Sequence, residues 1–309
     1  MLRRNVLIFH SGALGDFILT WPLALALGRL WPQSRIIYVT QKQKGLLAEK
    51  ALRVEWTDAE SGWHHLHANP ADLPEKSRAQ LDSAHAIFAF TPNPADPSIK
   101  AIQELAGSAQ IIPVSVKPPE DFHQHASQYL LETLSPVPAV QSATQSFITS
   151  IAARGISISR PGSSGAGPTL IHPGSGSPSK CWPLENFLHL ADKLNHENRR
   201  CHFVIGEVER HRWPDADLHR LESAAPVIHP ATYRDLLDAI SSADLFIGND
   251  SGPAHLAAIV ATPTIVLFGP TNPAIWSPLG PRVTIIRRQP LQDLSVAEVE
   301  SATRHPAPV

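Results

Sequence analysis

The chain has 309 residues, with 26 lysines and arginines against 28 aspartates and glutamates, 43% hydrophobic residues and 17% charged ones. That length suffices for two domains with cores of their own, and that composition excludes a disordered or highly charged chain. Residues 1–150 carry 12 basic and 13 acidic side chains and residues 151–309 carry 14 and 15, so neither half is a cationic module and nucleic acid is excluded as a partner on bulk charge.

In chain order, a buried strand reads at 5–10 (NVLIFH), followed by a glycine-containing loop and a helix over 15–30. Further strands read at 35–40 (RIIYVT), 86–90 (AIFAF) and 111–114, with helices at 98–106 and 123–134. Such alternation predicts parallel βαβ units with right-handed crossovers. Residues 157–168 (SISRPGSSGAGP) are nearly devoid of apolar side chains and read as a linker. The pattern then restarts with a strand at 169–172, a helix at 183–195, a strand at 201–206 (CHFVIG), a helix at 208–222, a short strand at 227–229 and a helix at 233–241. Strands at 245–248 and 264–269 (TIVLFG) bracket a helix at 252–260, and a strand at 282–287 precedes a last helix at 296–303 with Ser295 as its N-cap. Both halves open on an apolar strand ending in His-x-Gly, LIFHSG at 7–12 and TLIHPG at 169–174. The expected fold is α/β, two Rossmann-like doubly wound domains facing each other across a cleft: 1–156, the linker 157–168, and 169–290, followed by a helix and tail at 291–309.

The two cysteines, Cys181 and Cys201, form neither a disulfide framework nor a CxxC metal knuckle, so a reduced, cytoplasmic setting is expected. The most apolar stretch, 17–30, is interrupted by Thr20, Pro22, Gly28 and Arg29 and falls short of a membrane span. Residues 6–9 are too short for the apolar centre of a signal peptide.

Three loops at strand ends carry the chemistry, because open α/β sheets bind ligands where helix N-termini present N–H groups and a positive dipole end. In the first, His10-Ser11-Gly12-Ala13-Leu14-Gly15-Asp16, the glycine fingerprint of a dinucleotide site is incomplete. A carboxylate at Asp16 would repel a diphosphate there, which leaves two jobs: capping the helix, or accepting a proton from a substrate hydroxyl. In the second, residues 172–183 (HPGSGSPSKCWP), small residues leave backbone amides open to a phosphate and Lys180 supplies a charge, although the Walker A order is absent. In the third, residues 248–255 (GNDSGPAH), the Ser251 and Gly252 amides suit an anionic or hydroxyl-rich ligand, Asp250 suits sugar hydroxyls, and His255 is either a ligand contact or a core histidine. His64, His65 and His67 lack zinc-ligand spacing, Asp215 and Asp217 make a DxD inside a polar helix, and no GxSxG elbow is present, so no metal is expected.

In this order and spacing, GALGDFILTWPLALALGRLWP, HPGSGSPSKCWP and GNDSGPAHLAAIVATPTIVLFGPTNP resemble the ADP-heptose:lipopolysaccharide heptosyltransferase family, glycosyltransferase family 9. The resemblance runs from about residue 5 to 288 and implies a glycosyltransferase B fold, with an N-terminal acceptor domain, a C-terminal nucleotide-sugar domain and a last helix returning toward the first. It implies a metal-independent inverting sugar transfer, with Asp16 as general base and Lys180 on the sugar diphosphate, Ser175 and Gly176 at the phosphate loop, and Asp250, Ser251, Gly252 and His255 around the donor. Glu209, or equally Glu207, would read the ribose. Gly12, Gly15 and Lys42 fall on the acceptor side, although Lys42 and Lys44 read equally as a solvated helix start. The implied partners are a nucleotide-diphosphate sugar, ADP-heptose by resemblance, and a glycan or glycolipid acceptor, with no cofactor and with peripheral contact at the cytoplasmic face of the inner membrane. A non-catalytic nucleotide-sugar-binding protein and a relative using another donor sugar stay open. Cys181, beside Lys180 at a helix start, is expected to have thiolate character.

Overall fold

The computed structural model describes residues 4–91, 93, 96–158 and 167–304. The chain divides into two compact units, Met1–Thr149 and Ser150–Val309. The division falls inside the helix Pro138–Arg154, and of the expected linker at 157–168, residues 159–166 lie outside the described residues.

The first unit is built on five parallel strands, β1 (Asn5–Phe9), β2 (Arg35–Thr40), β3 (Glu55–Asp58), β4 (Ala84–Phe90) and β5 (Gln110–Val114), in the order β3-β2-β1-β4-β5. Val6, Leu7 and Ile8 of β1 are fully buried, as a central strand covered on both faces by helices requires. The edge strand β3 has no clear apolar run (EWTD), so periodicity does not reveal it. It is held from outside, where Gly45 of the helix Lys42–Leu52 lies so close to Trp56 that a Cβ there would meet the ring at 2.4 Å.

The helix expected at 15–30 is two, Leu14–Leu19 and Trp21–Leu30. Thr20 makes the joint: its hydroxyl donates to the Phe17 carbonyl at 2.7 Å and pairs with the Tyr38 hydroxyl at 2.8 Å, while Pro22 suits only the first turn of the second helix. Asp16 therefore sits on a short helix of its own.

The second unit has six parallel strands, β6 (Thr169–His172), β7 (Cys201–Val204), β8 (Val227–Ile228), β9 (Leu245–Asn249), β10 (Thr264–Phe268) and β11 (Val283–Arg287), in the order β11-β10-β9-β6-β7-β8. The helix expected at 208–222 breaks at Trp213-Pro214 into Glu207–Arg212 and Asp215–Ala224, because proline cannot continue a helix. Asp215 and Asp217 fall in the first turn of the later piece. The last helix, Val296–Arg304, starts at Ser295, whose hydroxyl accepts the Glu298 amide at 3.3 Å while its own amide donates to Glu298 Oε2 at 3.0 Å. It packs on the helix Leu184–His196 and its C-cap, held by Lys193–Glu300 at 2.9 Å and Arg304–Glu197 at 2.7 Å.

Each sheet reverses strand order once, between β1 and β4 in the first unit and between β6 and β9 in the second. Outside the carboxyl ends of such a pair the two crossovers leave on opposite faces and open a crevice. The three loops with chemistry-bearing residues sit at these two places. Among the described residues no helix is long and apolar enough to cross a membrane.

Candidate functional site

In the second unit, the loops after β6, β9 and β10 meet at the order reversal. Asn249, the last residue of β9 and fully buried, holds two stretches of the loop after β6. Its Oδ1 accepts the Trp182 amide at 2.9 Å and its Nδ2 donates to the Pro173 carbonyl at 2.8 Å. Ser175 closes the same contact, its hydroxyl donating to the Asp250 carbonyl at 2.8 Å. Trp182 anchors the far end of the loop: it is buried, packs edge-on against Phe187 and donates its indole N–H to the Leu294 carbonyl at 2.9 Å.

On this frame Lys180 ends a single 3₁₀ turn, Pro178–Lys180, and its Nζ lies 2.8 Å from Asp250 Oδ2. The same oxygen accepts the Thr271 hydroxyl at 2.8 Å. The Asp250 side chain is 8% exposed and that of Lys180 31%, so the carboxylate is sheltered and the ammonium faces solvent in part. Ser251 is the N-cap of the helix Gly252–Ile259, yet its buried hydroxyl has no hydrogen-bond partner among the described residues. A buried polar atom left over at a helix N-terminus is what an oxyanion or hydroxyl ligand would satisfy. His255 is buried on the turn behind.

Glu207 and Glu209 differ in their packing. Glu207 is exposed, whereas Glu209 is buried, accepts the Gly206 amide at 2.9 Å, and lies so close over Gly174 that a Cβ there would be 2.0 Å from its carboxylate. A Cβ at Gly174 would thus displace the Glu209 side chain, while Gly176 is exposed and a Cβ there would meet nothing within 4 Å. Burial pushes the His172 imidazole down, with the nearby Glu209 carboxylate opposing. A cavity of about 250 Å³ lies beside the loop, with Ser175, Cys181, Glu209, Arg212 and Trp213 in its wall. Cys181 departs from expectation. Burial, then the Glu209 carboxylate, pushes its thiol pKa up, and its S–H points to the Ser177 carbonyl at 3.5 Å. The helix-start effect assumed for it does not operate, because the preceding residues form a 3₁₀ turn and the helix begins only at Leu184.

In the first unit Asp16 lies in the first turn of Leu14–Leu19, 3.3 Å from Lys117 Nζ. Its carboxylate makes no cap hydrogen bond, because Ala13 occupies the N-cap position. Gly15 is half-buried beside it. Lys42 is exposed at the start of the helix Lys42–Leu52, and Lys44 instead turns inward: it is buried and donates to the Gly12 carbonyl. Burial lowers the Lys44 pKa and the Asp16 charge opposes that. Of the two lysines weighed together in the sequence, the structure brings Lys44 to the Asp16 loop and leaves Lys42 in solvent.

Asn249, Thr271 and Lys117 escape a reading of the sequence. Asn249 has a usable signal, an amide ending an apolar strand (LFIGN), since a polar residue there is either exposed or fully bonded. Thr271 lies in the GPTNP stretch without any motif of its own, and Lys117 is distant in sequence from the loop it joins. Among the described residues no group of three His, Cys, Asp or Glu side chains is placed to hold a metal ion.

With this geometry in view, the model of glycosyltransferase family 9 (heptosyltransferase) matches residues 116–303. A lipopolysaccharide heptosyltransferase 3 of Escherichia coli is 34% identical over 119 residues, 35% of this chain and 33% of that one. The aligned stretch thus spans about a third of that relative. Among solved structures, E. coli ADP-heptose lps heptosyltransferase II superposes with a TM-score of 0.72 at 16% identity, covering 97% of both chains. E. coli heptosyltransferase WaaC with ADP superposes at 0.68, also at 16% identity, covering 97% of this chain and 99% of that one. Both likenesses show the fold, that of the glycosyltransferase B enzymes.

Proposed function

The chain belongs to glycosyltransferase family 9, the heptosyltransferases, and on that premise we propose that it transfers a sugar, a heptose from ADP-heptose, to a hydroxyl of a lipopolysaccharide-core or related glycan acceptor, with inversion and without a metal ion. The observation that carries this reading is the cluster at the β6–β9 reversal, where Lys180, Asp250, Thr271 and the unpartnered Ser251 hydroxyl surround one helix N-terminus. That is an arrangement for a sugar diphosphate: a cation and amide donors for the phosphates, and a carboxylate for sugar hydroxyls. The ADP bound by WaaC, whose fold this chain shares, supports an adenine nucleotide.

In the proposed reaction the acceptor oxygen attacks the anomeric carbon from the side opposite the diphosphate, so the configuration inverts. Asp16 takes the acceptor's proton. The bond to the diphosphate breaks, and its growing negative charge is met by Lys180 and by the amides of Ser175–Gly176 and Ser251–Gly252. Lys180 must leave Asp250 to do this, which frees the carboxylate for the donor sugar at the same moment. Glu209 accepts hydrogen bonds from the ribose, and His255 supports the helix start from behind. Gly12 and Gly15 let the acceptor approach the Asp16 loop closely, and Lys42 meets anionic groups of that acceptor from solvent. The acceptor is reached at the cytoplasmic face of the inner membrane by peripheral contact.

The test is a donor screen with purified protein, ADP-heptose against UDP- and GDP-sugars, reading released nucleotide with and without EDTA. Release from ADP-heptose alone, unchanged by EDTA, is the expected result. Nucleotide binding without turnover of any donor would identify a binding protein, and loss of activity in EDTA restored by Mg²⁺ would remove the metal-free claim.

A further inference from the structure

The loop that carries Asp16 has few bonds of its own to hold it. Residues 10–13 form no regular secondary structure, and the helix Leu14–Leu19 that follows has only 6 residues and no side-chain bond at its N-cap, Ala13. So short a helix without a cap does little to fix its own direction. The start of the loop is tied by the His10 amide, which donates to the Val39 carbonyl at 3.0 Å. Its end is tied by a residue distant in sequence: Lys44 donates to the carbonyl of Gly12, the residue before the N-cap.

Lys44 is 3% exposed, a rare position for an ammonium. A methionine would fill a similar space without the cost of taking a charge out of water, so the cation itself calls for a use. The helix that bears it, Lys42–Leu52, begins directly after β2 and is pressed against β3, since a Cβ on the neighbouring Gly45 would meet the Trp56 ring at 2.4 Å. Asp16 is near enough for its charge to oppose the effect of burial on the Lys44 pKa.

Gly12 in turn lies against the carboxylate. A Cβ placed on it would be 3.1 Å from the His10 ring and 3.2 Å from Asp16 Oδ2, so a shift of the Gly12 peptide is passed directly to Asp16. Lys117 reaches the same oxygen at 3.3 Å, but its side chain is 58% exposed and solvent screens that pair. The buried bond from Lys44 is the firmer of the two holds on the loop.

We propose that Lys44 is a positioning residue for the Asp16 base: its buried ammonium fixes the Gly12 carbonyl, and with it the direction in which Leu14–Leu19 presents the carboxylate, without touching donor or acceptor. The inference rests on the reading of Asp16 as general base. Misplacement of a catalytic group by about 1 Å costs about 10²-fold in rate, so a loosened loop lowers turnover and leaves binding alone. The test measures ADP released from ADP-heptose by the full chain, with heptose-free, O-deacylated lipopolysaccharide as acceptor. Lys44→Met should lower kcat about 100-fold, with acceptor KM and ADP Kd within about two-fold of wild type. Lys44→Arg keeps the cation and its donors and should recover at least about ten-fold of that loss. Because Lys44 acts through Asp16, the double variant Asp16→Asn, Lys44→Met should be no slower than Asp16→Asn alone, whereas a general loss of packing would multiply the two effects. The assignment is overturned by a Lys44→Met kcat within about three-fold of wild type, by a loss confined to acceptor KM, or by a double variant more than about three-fold slower than Asp16→Asn. Should Lys44→Met lack the wild-type urea transition, Lys44→Arg carries the test, and a kcat about 100-fold down in that folded variant overturns the assignment. The parent reading fails separately: a wild-type chain that releases no ADP, or a fully active Asp16→Asn, removes the base, while a slow Asp16→Asn beside a fast Lys44→Met removes only the role of Lys44.

Discussion

Lys180 and Asp250 invite a double-mutant cycle, because the proposed donor must compete with an ion pair already formed. At 2.8 Å and an effective dielectric constant of about 20, the gross attraction is about 6 kcal/mol. Desolvation of Asp250 and the partial exposure of Lys180 reduce the net coupling to about 1–3 kcal/mol. Lys180→Met removes the cation from the diphosphate and leaves the Asp250 carboxylate beside it, held only by Thr271, so ADP binding should weaken about 100-fold, or about 2.7 kcal/mol. Adding Asp250→Asn to that variant removes the repelling charge. The double variant should therefore bind ADP more tightly than Lys180→Met alone, by about 5- to 10-fold. Asp250→Asn by itself releases Lys180 and should tighten ADP while lowering sugar transfer, because the carboxylate is lost to the donor sugar. Isothermal titration with ADP measures all four corners. Weaker ADP binding by Asp250→Asn alone, or a double variant weaker than Lys180→Met, would show that Asp250 has no part in gating the lysine.

Four further outcomes are expected. Asp16→Asn should reduce turnover by roughly 10²–10⁴ with ADP affinity unchanged, measured as nucleotide release against titration; full activity would remove Asp16 as the base. Thr271→Val deletes a 2.8 Å hydrogen bond to a sheltered carboxylate and should cost about 1.5–3 kcal/mol of stability, read from urea midpoints, with Thr271→Ser restoring most of it. Cys181, with its thiol raised by burial and Glu209, should react with iodoacetamide at pH 7 more slowly than an exposed cysteine of a peptide. His10 is uncharged in the folded chain, its pKa lowered from 6.5 to about 3, whereas the unfolded chain protonates it near its ordinary value. Acid then favours unfolding, and the stability this group contributes above pH 6.5 is lost as the pH falls toward 3. Between pH 7.5 and 5 the loss is about 2 kcal/mol, in the same direction as that from the buried His172. Denaturant curves at the two pH values should show a smaller acid loss for His10→Phe, and an equal loss would contradict the assignment.

Much of the architecture is a local property and can be read residue by residue. The strands at 5–10, 35–40, 201–206 and 264–269 are β-branched runs bounded by turn residues, and they fall on β1, β2, β7 and β10. Where one local rule competes with another, such a reading fails. The helix expected across Thr20 is split because Tyr38, from a different strand, takes the threonine hydroxyl, and β3 goes unseen because an edge strand shows little hydrophobic pattern. Pro214 is visible in the sequence and is reason enough to divide the helix at 208–222.

The candidate site divides in the same way. The loops around Asp16, Lys180 and Asp250 announce themselves by small residues and polar chemistry at strand ends, which depend only on neighbours in the chain. What the sequence leaves open is which groups meet. Asn249 bonding to Trp182 and Pro173, Thr271 sharing a carboxylate oxygen with Lys180, and Lys44 rather than Lys42 reaching Gly12 all depend on strand order. That order follows from pairing between segments tens of residues apart, whose free energy is collective and leaves no mark on any short stretch. Composition and turn chemistry thus determined two Rossmann-like halves and the loops that carry chemistry, while the tertiary structure decided the partners of every charge within them.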